Sequence, residues 1–237
     1  MNRVTVASLP AVQVSLEAAD AVRGLGSVAG LPATDQVALA DLGLVGEDGQ
    51  LTPAGRRLRD DLRGAPVVLL YEAWPDHPTR RARLYVGSRQ MLYVGVPPSA
   101  AERAASELLV FPADAVPIVL AGWGRLQPML QTRADQHGPI EREQLWRRCT
   151  TSTAPPPAHA DDTLTDMWAR PWRVWGAQCD QREISLAYVD IEDYGTYIVR
   201  PASQEGFVRL GARPSSLLWG DLQGVLRPLC RHHDIDW

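Results

Sequence analysis

With 237 residues, 45% apolar content and three widely spaced cysteines, the chain can form one large domain or two small lobes without a disulfide or metal staple. Its net charge is −4, from 28 acids against 24 basic residues that are all arginine, so no overall field favours nucleic acid or an anionic membrane. No run approaches the ~18 apolar residues of a membrane span, the first residues lack the apolar stretch of a signal peptide, and the cysteine usage suits a reducing compartment; a cytoplasmic protein is expected.

In chain order, residues 4–31 predict a short strand or arm and then a helix near 15–23, closed by Gly24, Gly26 and Gly30. Helix-start chemistry at 32–35 opens a helix over 35–43 that ends at Gly43. A polar turn at 46–49 follows. Thr52 and Pro53 then supply a cap and a first-turn proline for an exposed, arginine-rich helix running to Gly64. Val67–Trp74, Arg83–Gly87 and Met91–Val96 are Val/Leu/Tyr-rich runs separated by turn residues, which predicts an antiparallel meander. A fourth strand, Leu108–Phe111, leads into a helix near 114–122.

The second half repeats this order. A charged helix over Glu141–Cys149 precedes residues 150–163, whose three prolines among small polar residues predict an extended, mobile linker. A helix over 162–169 is followed by strands Arg173–Cys179, Ile184–Ile191, Thr196–Arg200 and Gly206–Leu210, and by a helix near 215–229. The reading is therefore a first αβ lobe at 1–149, a Pro-rich linker at 150–163 and a second αβ lobe at 164–237. At a displacement of about 96 positions Phe111 falls on Phe207, Trp123 on Trp219, Gly124 on Gly220, Leu126 on Leu222, Gln127 on Gln223 and Leu130 on Leu226, which points to an internal duplication. The fold class expected is α+β, with two quasi-symmetric lobes, each a meander with flanking helices, sharing a central sheet.

Chemistry-bearing motifs are sparse. Cys230, Arg231, His232, His233 and Asp234 are dense in ligand atoms, but they crowd one chain end without the paired spacing of a zinc site, and a solvated tail is the better reading. His77, His137 and His159 stand in turns or the Pro-rich stretch, with no nucleophile or acid nearby in sequence. No nucleophile elbow, phosphate-cradling glycine loop or zincin motif is present, so neither catalysis nor a cofactor is expected.

Two binding readings remain. The segment from Ala38 to Leu58, with Leu42–Val45, an acidic turn, Leu51–Gly55 and a basic helix, is similar to the turn and wing of winged-helix regulators. A DNA reader needs a basic face, and Asp60 and Asp61 offset the arginines here. A small-molecule site on the sheet is a weaker third possibility. Aromatic residues cluster late in the chain, and several on strands would form an apolar surface for a protein partner.

The order of small helix, Gly43-Leu44-Val45, acidic turn, Thr52-Pro53 helix and meander resembles the first lobe of the EspG family, specific chaperones of type VII (ESX) secretion. The second lobe resembles that family through Val189-Asp190, a short turn, Gly195-Thr196-Tyr197, then Gly206-Phe207-Val208 and a closing helix. The turn after Asp190 is one residue longer than the family pattern, and Thr196 stands where the family usually has arginine. The resemblance implies a quasi-twofold protein with a central sheet and no cofactor, holding the hydrophobic tip of a helical PE–PPE heterodimer. The partner-binding residues expected on the second-lobe strands are Trp172, Trp175, Tyr188, Tyr194, Tyr197 and Arg200.

Overall fold

The computed structural model describes residues 12–13, 15–24, 27–95, 107–126, 139–179 and 185–231. The chain adopts the α+β class, and the same run of elements occurs twice. The first comprises β1 (Val12–Gln13), α1 (Leu16–Val22), α2 (Ala33–Asp41), α3 (Pro53–Asp61), β2 (Val67–Ala73), β3 (Arg80–Val86), β4 (Gln90–Gly95), β5 (Glu107–Pro112) and α4 (Val116–Trp123). The second comprises β6 (Ile140–Glu141), α5 (Arg142–Thr150), α6 (Asp162–Ala169), β7 (Trp172–Cys179), β8 (Ser185–Ile191), β9 (Gly195–Pro201), β10 (Phe207–Ala212) and α7 (Ser215–Arg231). The first carries one extra helix, α2.

Each run closes in the same way: a two-residue strand pairs antiparallel with the last strand of its meander. Val12 and Gln13 of β1 stand opposite Leu108 and Glu107 of β5; Ile140 and Glu141 of β6 stand opposite Val208 and Phe207 of β10. Glu107 is thus equivalent to Phe207, and Leu108 to Val208. This corrects the residue register of the duplication: Phe111 lies near the end of β5 while Phe207 opens β10, so the two do not hold equivalent places. Gln127 and Leu130 lie outside the described residues, as does the tail from His232 to Asp234.

The chain forms two compact units, one of residues 1–69, 82–119 and 226–237, the other of 70–81 and 120–225. A boundary at 149–164 is therefore not where the chain divides. Residues 150–163 belong wholly to the second unit, and specific bonds hold the Pro-rich stretch there. The indole of Trp168 donates to the Ala154 carbonyl (2.9 Å), the Asp76 amide to the Thr150 carbonyl (3.0 Å) and the Ser152 amide to the Asp76 carboxylate (3.0 Å). Ala154 and Pro157 are buried. A proline-rich composition reports the lack of a regular ladder, and side chains from elsewhere supply the anchoring.

The core of the first unit packs α1, α2 and α3 against Tyr85, Leu92, Val94 and Leu108. Helix α2 ends as its sequence directs. Gly43 takes φ +69°, the Leu44 amide donates to the Leu39 carbonyl and the Gly43 amide to the Ala40 carbonyl, a Schellman closure. Helix α3 begins at the predicted cap, where the Thr52 hydroxyl accepts from the Gly55 amide (3.1 Å) with Pro53 in the first turn. It stops at Asp61, short of Gly64.

Asp61 turns that helix end into a clamp on the β3–β4 turn. Its carboxylate accepts from the amides of Ser88 (3.1 Å), Arg89 (3.0 Å) and Gln90 (2.8 Å) and from the Ser88 hydroxyl. Partial burial works to raise its pKa, but the Ser88 hydroxyl and the three amides together outweigh burial and hold the carboxyl below its ordinary value. A depressed folded pKa contributes stability that is present above the unfolded value of about 3.9 and lost as pH falls through the folded one. Wild type is therefore expected to exceed Asp61→Asn in melting temperature at neutral pH, with the gap narrowing below about pH 4. A gap that stays constant from pH 7 to pH 3 would show that this charge plays no part.

Candidate functional site

Five of the six residues expected to contact a partner are buried in the second unit. Trp172 packs edge-on against Trp168 (centroids 5.0 Å apart), and its indole N–H donates to the Met167 carbonyl (2.8 Å). Trp175 stacks on Tyr188 at 4.7 Å, and the Tyr188 hydroxyl donates to Asp221 (3.0 Å). Burial first, and then the adjacent Asp221 carboxylate, push the Tyr188 hydroxyl's pKa up. Tyr194 is buried with its hydroxyl bonded to Asp166, and Tyr197 is fully buried. Only Arg200 is exposed. Helices cover one face of these strands, so alternation along a strand does not leave an aromatic face in water.

What the strands do build is a buried charge hub. Along β2, Val68, Leu70 and Glu72 share the buried side, so period-2 alternation carries a carboxylate into the interior. Arg173 of β7 answers it. Its Nε donates to Glu72 Oε1 (2.5 Å), Nη1 to Asp190 Oδ2 (2.5 Å) and to the Gly124 carbonyl (3.2 Å), and Nη2 to the Trp123 carbonyl (2.5 Å). The Thr196 hydroxyl donates to the other oxygen of Asp190 (2.7 Å).

The last carbonyls of α4 thus end on a guanidinium, which suits the negative end of a helix dipole. The following closure repeats that of α2, with the Leu126 amide donating to the Ala121 carbonyl and the Arg125 amide to the Gly122 carbonyl. Here the left-handed position is Arg125, at φ +51°, not a glycine. Its side chain explains the choice: Nη2 lies 3.5 Å from Glu72 Oε1, and its guanidinium stands 5.2 Å from the centre of the Trp74 ring. Trp74, Arg125, Arg173, Asp190, Glu192 and Thr196 are among the residues lining a cleft of about 740 Å³ over this hub. Its lining carries two arginines, Arg125 and Arg173, and three carboxylates, Asp190, Glu192 and Asp193, so acids outnumber cations there.

A second concavity is apolar. Trp146 of α5 is 67% exposed, and with Glu141, Arg142, Glu143, Gly206 and Phe207 it lines a groove of about 630 Å³ beside β6. The helical period places Trp146 on the outer side of α5, while Leu145, Arg148 and Cys149 face inward. Sequence reasoning passed over Trp146 because it stands in a charged helix away from the strand aromatics. Its one signal is an apolar residue among the charges of that helix's polar side.

Among the described residues no group of three His, Cys, Asp or Glu side chains could hold a metal, and no helix is long and apolar enough to cross a membrane. Cys149 and Cys179 are buried and free; burial pushes the Cys149 thiol up to about 12, with the neighbouring Arg148 pulling the other way, so Cys149 is no thiolate nucleophile in this state. The described residues thus form an antiparallel α+β protein of repeated plan, with a charged cleft and an apolar groove in its second unit. No family model matches it, and no curated protein matches it.

Proposed function

We propose that this protein is a cytoplasmic binding protein, a type VII secretion chaperone of the kind the EspG family comprises, holding the hydrophobic helical tip of a PE–PPE-like heterodimer. The observation that carries this reading is the twice-used plan of short edge strand, helices, antiparallel meander and helix, the arrangement that the resemblance implies. The Trp146 groove supplies the surface: an exposed tryptophan beside Phe207, with a rim of Glu141, Arg142 and Glu143, suits the apolar end of a helix flanked by charge. On this reading the partner lies against α5 and β10, and the buried aromatics of β7–β9 shape the scaffold beneath.

The winged-helix alternative is less well supported. Val45 and Leu51 do form an antiparallel bridge between α2 and α3, as a small wing would. Yet Asp60 sits within 3.4 Å of Arg59 and 3.6 Å of Arg63, which reduces the basic face that a DNA reader needs.

Co-expression with PE–PPE pairs from the same genome, followed by size-exclusion chromatography, tests the proposal. A soluble ternary complex is expected, and Trp146→Asp is expected to abolish co-elution while leaving the free protein folded. If no pair co-elutes and duplex DNA binds with a steep salt dependence, the regulator reading replaces it.

A further inference from the structure

A pocket in the first unit is charged in a way that neither reading uses. It has a volume of about 350 Å³, and its lining includes Arg56 and Arg59, Gly24, Ser27, Gly49 and Gln50, with no acidic residue among the described residues that line it. Arg56 and Arg59 stand three residues apart on α3 and so share a face. Against a chain of net charge −4, a concavity lined by two cations and no anion is a local inversion of sign.

The arginines are held from behind. Arg56 Nη1 donates to the Leu51 carbonyl (2.7 Å), which leaves its other donors for the pocket. Arg59 has its Nε and Nη2 at 3.4 Å from Asp60, a long contact to a carboxylate that does not itself line the pocket. Opposite them the wall is small. Gly24 has φ +82°, and a β-carbon there would come 3.3 Å from Arg59 Cδ, so glycine lets the arginine stem lie against the backbone. Two arginines in a pocket whose lining also includes Gly24, Ser27 and Gly49 suit the charge of a small oxyanion. The volume lies near the lower end of ligand cavities, about 300–1,000 Å³, which selects a small molecule over a polymer.

We propose that this pocket binds the phosphate group of a small phosphorylated metabolite, with Arg56 and Arg59 as its two clamps. The site lies in the first unit and is independent of partner binding at Trp146.

The test titrates the full chain with inorganic phosphate and with glycerol phosphate at constant chloride, following the arginine Nε–H resonances by NMR and the heat of binding. Saturable binding is expected, tighter for the ester, and weakened about tenfold or more by Arg56→Gln and by Arg59→Gln, since each removes a charge-assisted contact. Arg57→Gln changes an exposed arginine of the same helix that does not line the pocket, and it is expected to bind as wild type does. Circular dichroism and thermal melting establish that each variant is folded. The proposal is overturned if neither ligand saturates by tens of millimolar, or if Arg57→Gln weakens binding as much as the other two. Binding of duplex DNA through Arg56 and Arg59 without binding of glycerol phosphate would also overturn it.

Discussion

Replacing Arg173 with methionine is expected to cost about 3–5 kcal/mol of stability, read as a fall in the urea midpoint of the second unit. The side chain is 8% exposed and serves two carboxylates and two carbonyls, and Glu72 beneath it is wholly buried. Without the guanidinium, the remaining cation on Glu72 among the described residues is Arg125 at 3.5 Å, a side chain that is half in water. An uncompensated buried carboxylate costs more than the pair contributes, so most of the loss comes from the orphan. That yields a second, sharper expectation: Arg173→Met combined with Glu72→Leu should be more stable than Arg173→Met alone, a non-additivity confined to residues in contact. Arg173→Lys should fall between, because one ammonium cannot reach four acceptors set out for a fork. A loss below about 1 kcal/mol for Arg173→Met would show that the hub is not closed as described.

That hub marks where the sequence stops being legible. The elements themselves follow from local chemistry: Thr52-Pro53 predicts the start of α3, Gly43 the end of α2, and the Val/Leu/Tyr runs the strands from β2 to β10, each within a few residues of where it lies. The repeated order could be read because every element in it carries its own period or cap. Strands β1 and β6 have two residues each, too short for any period to register, and their pairing with β5 and β10 is decided by tertiary contact. The Glu72–Arg173 pair was half visible. A strand whose buried positions are Val68, Leu70 and Glu72 demands an interior cation, but nothing local says which of 24 arginines supplies it. The aromatic misplacement has a related cause. Period-2 alternation tells which residues share a face, and only the packing of α6 and α7 tells which faces are covered.

The same limit applies to function. An exposed tryptophan on a helix of mixed charge looks, in sequence, like any core residue of an amphipathic helix. What distinguishes Trp146 is that Leu145, Arg148 and Cys149 have already turned inward and filled the space beneath α5. Arg148 does this by donating to the carbonyls of Trp168 (3.0 Å) and Arg170 (2.6 Å), which ties α5 to the end of α6. A charged residue therefore takes a core position and an aromatic one a surface position, the inverse of their usual places.

Gly55→Ala should lower the melting temperature where helix propensity alone predicts a rise. In an exposed helix interior, exchanging glycine for alanine gains about 1 kcal/mol. At Gly55 a β-carbon would stand 2.1 Å from the carbonyl oxygen of Leu44 and 3.1 Å from Leu51 Cδ2. That oxygen cannot move away cheaply, because it accepts from the Thr52 amide (3.0 Å). Thr52 is itself fixed, its hydroxyl donating to the Gly43 carbonyl (2.6 Å) while accepting from the Gly55 amide. The close of α2 and the start of α3 are therefore stitched through one threonine, and the added methyl must break that stitch or push α3 off the core. The expected cost is about 1–3 kcal/mol or more. Gly30→Ala is the matched control, since a β-carbon there meets nothing within 4 Å and the backbone is not left-handed. It should be neutral or stabilising by about 0.4–1 kcal/mol through the unfolded chain. If the two variants melt alike, α3 does not sit against Leu44, and the pocket of Arg56 and Arg59 on the same helix loses the support that holds it in place.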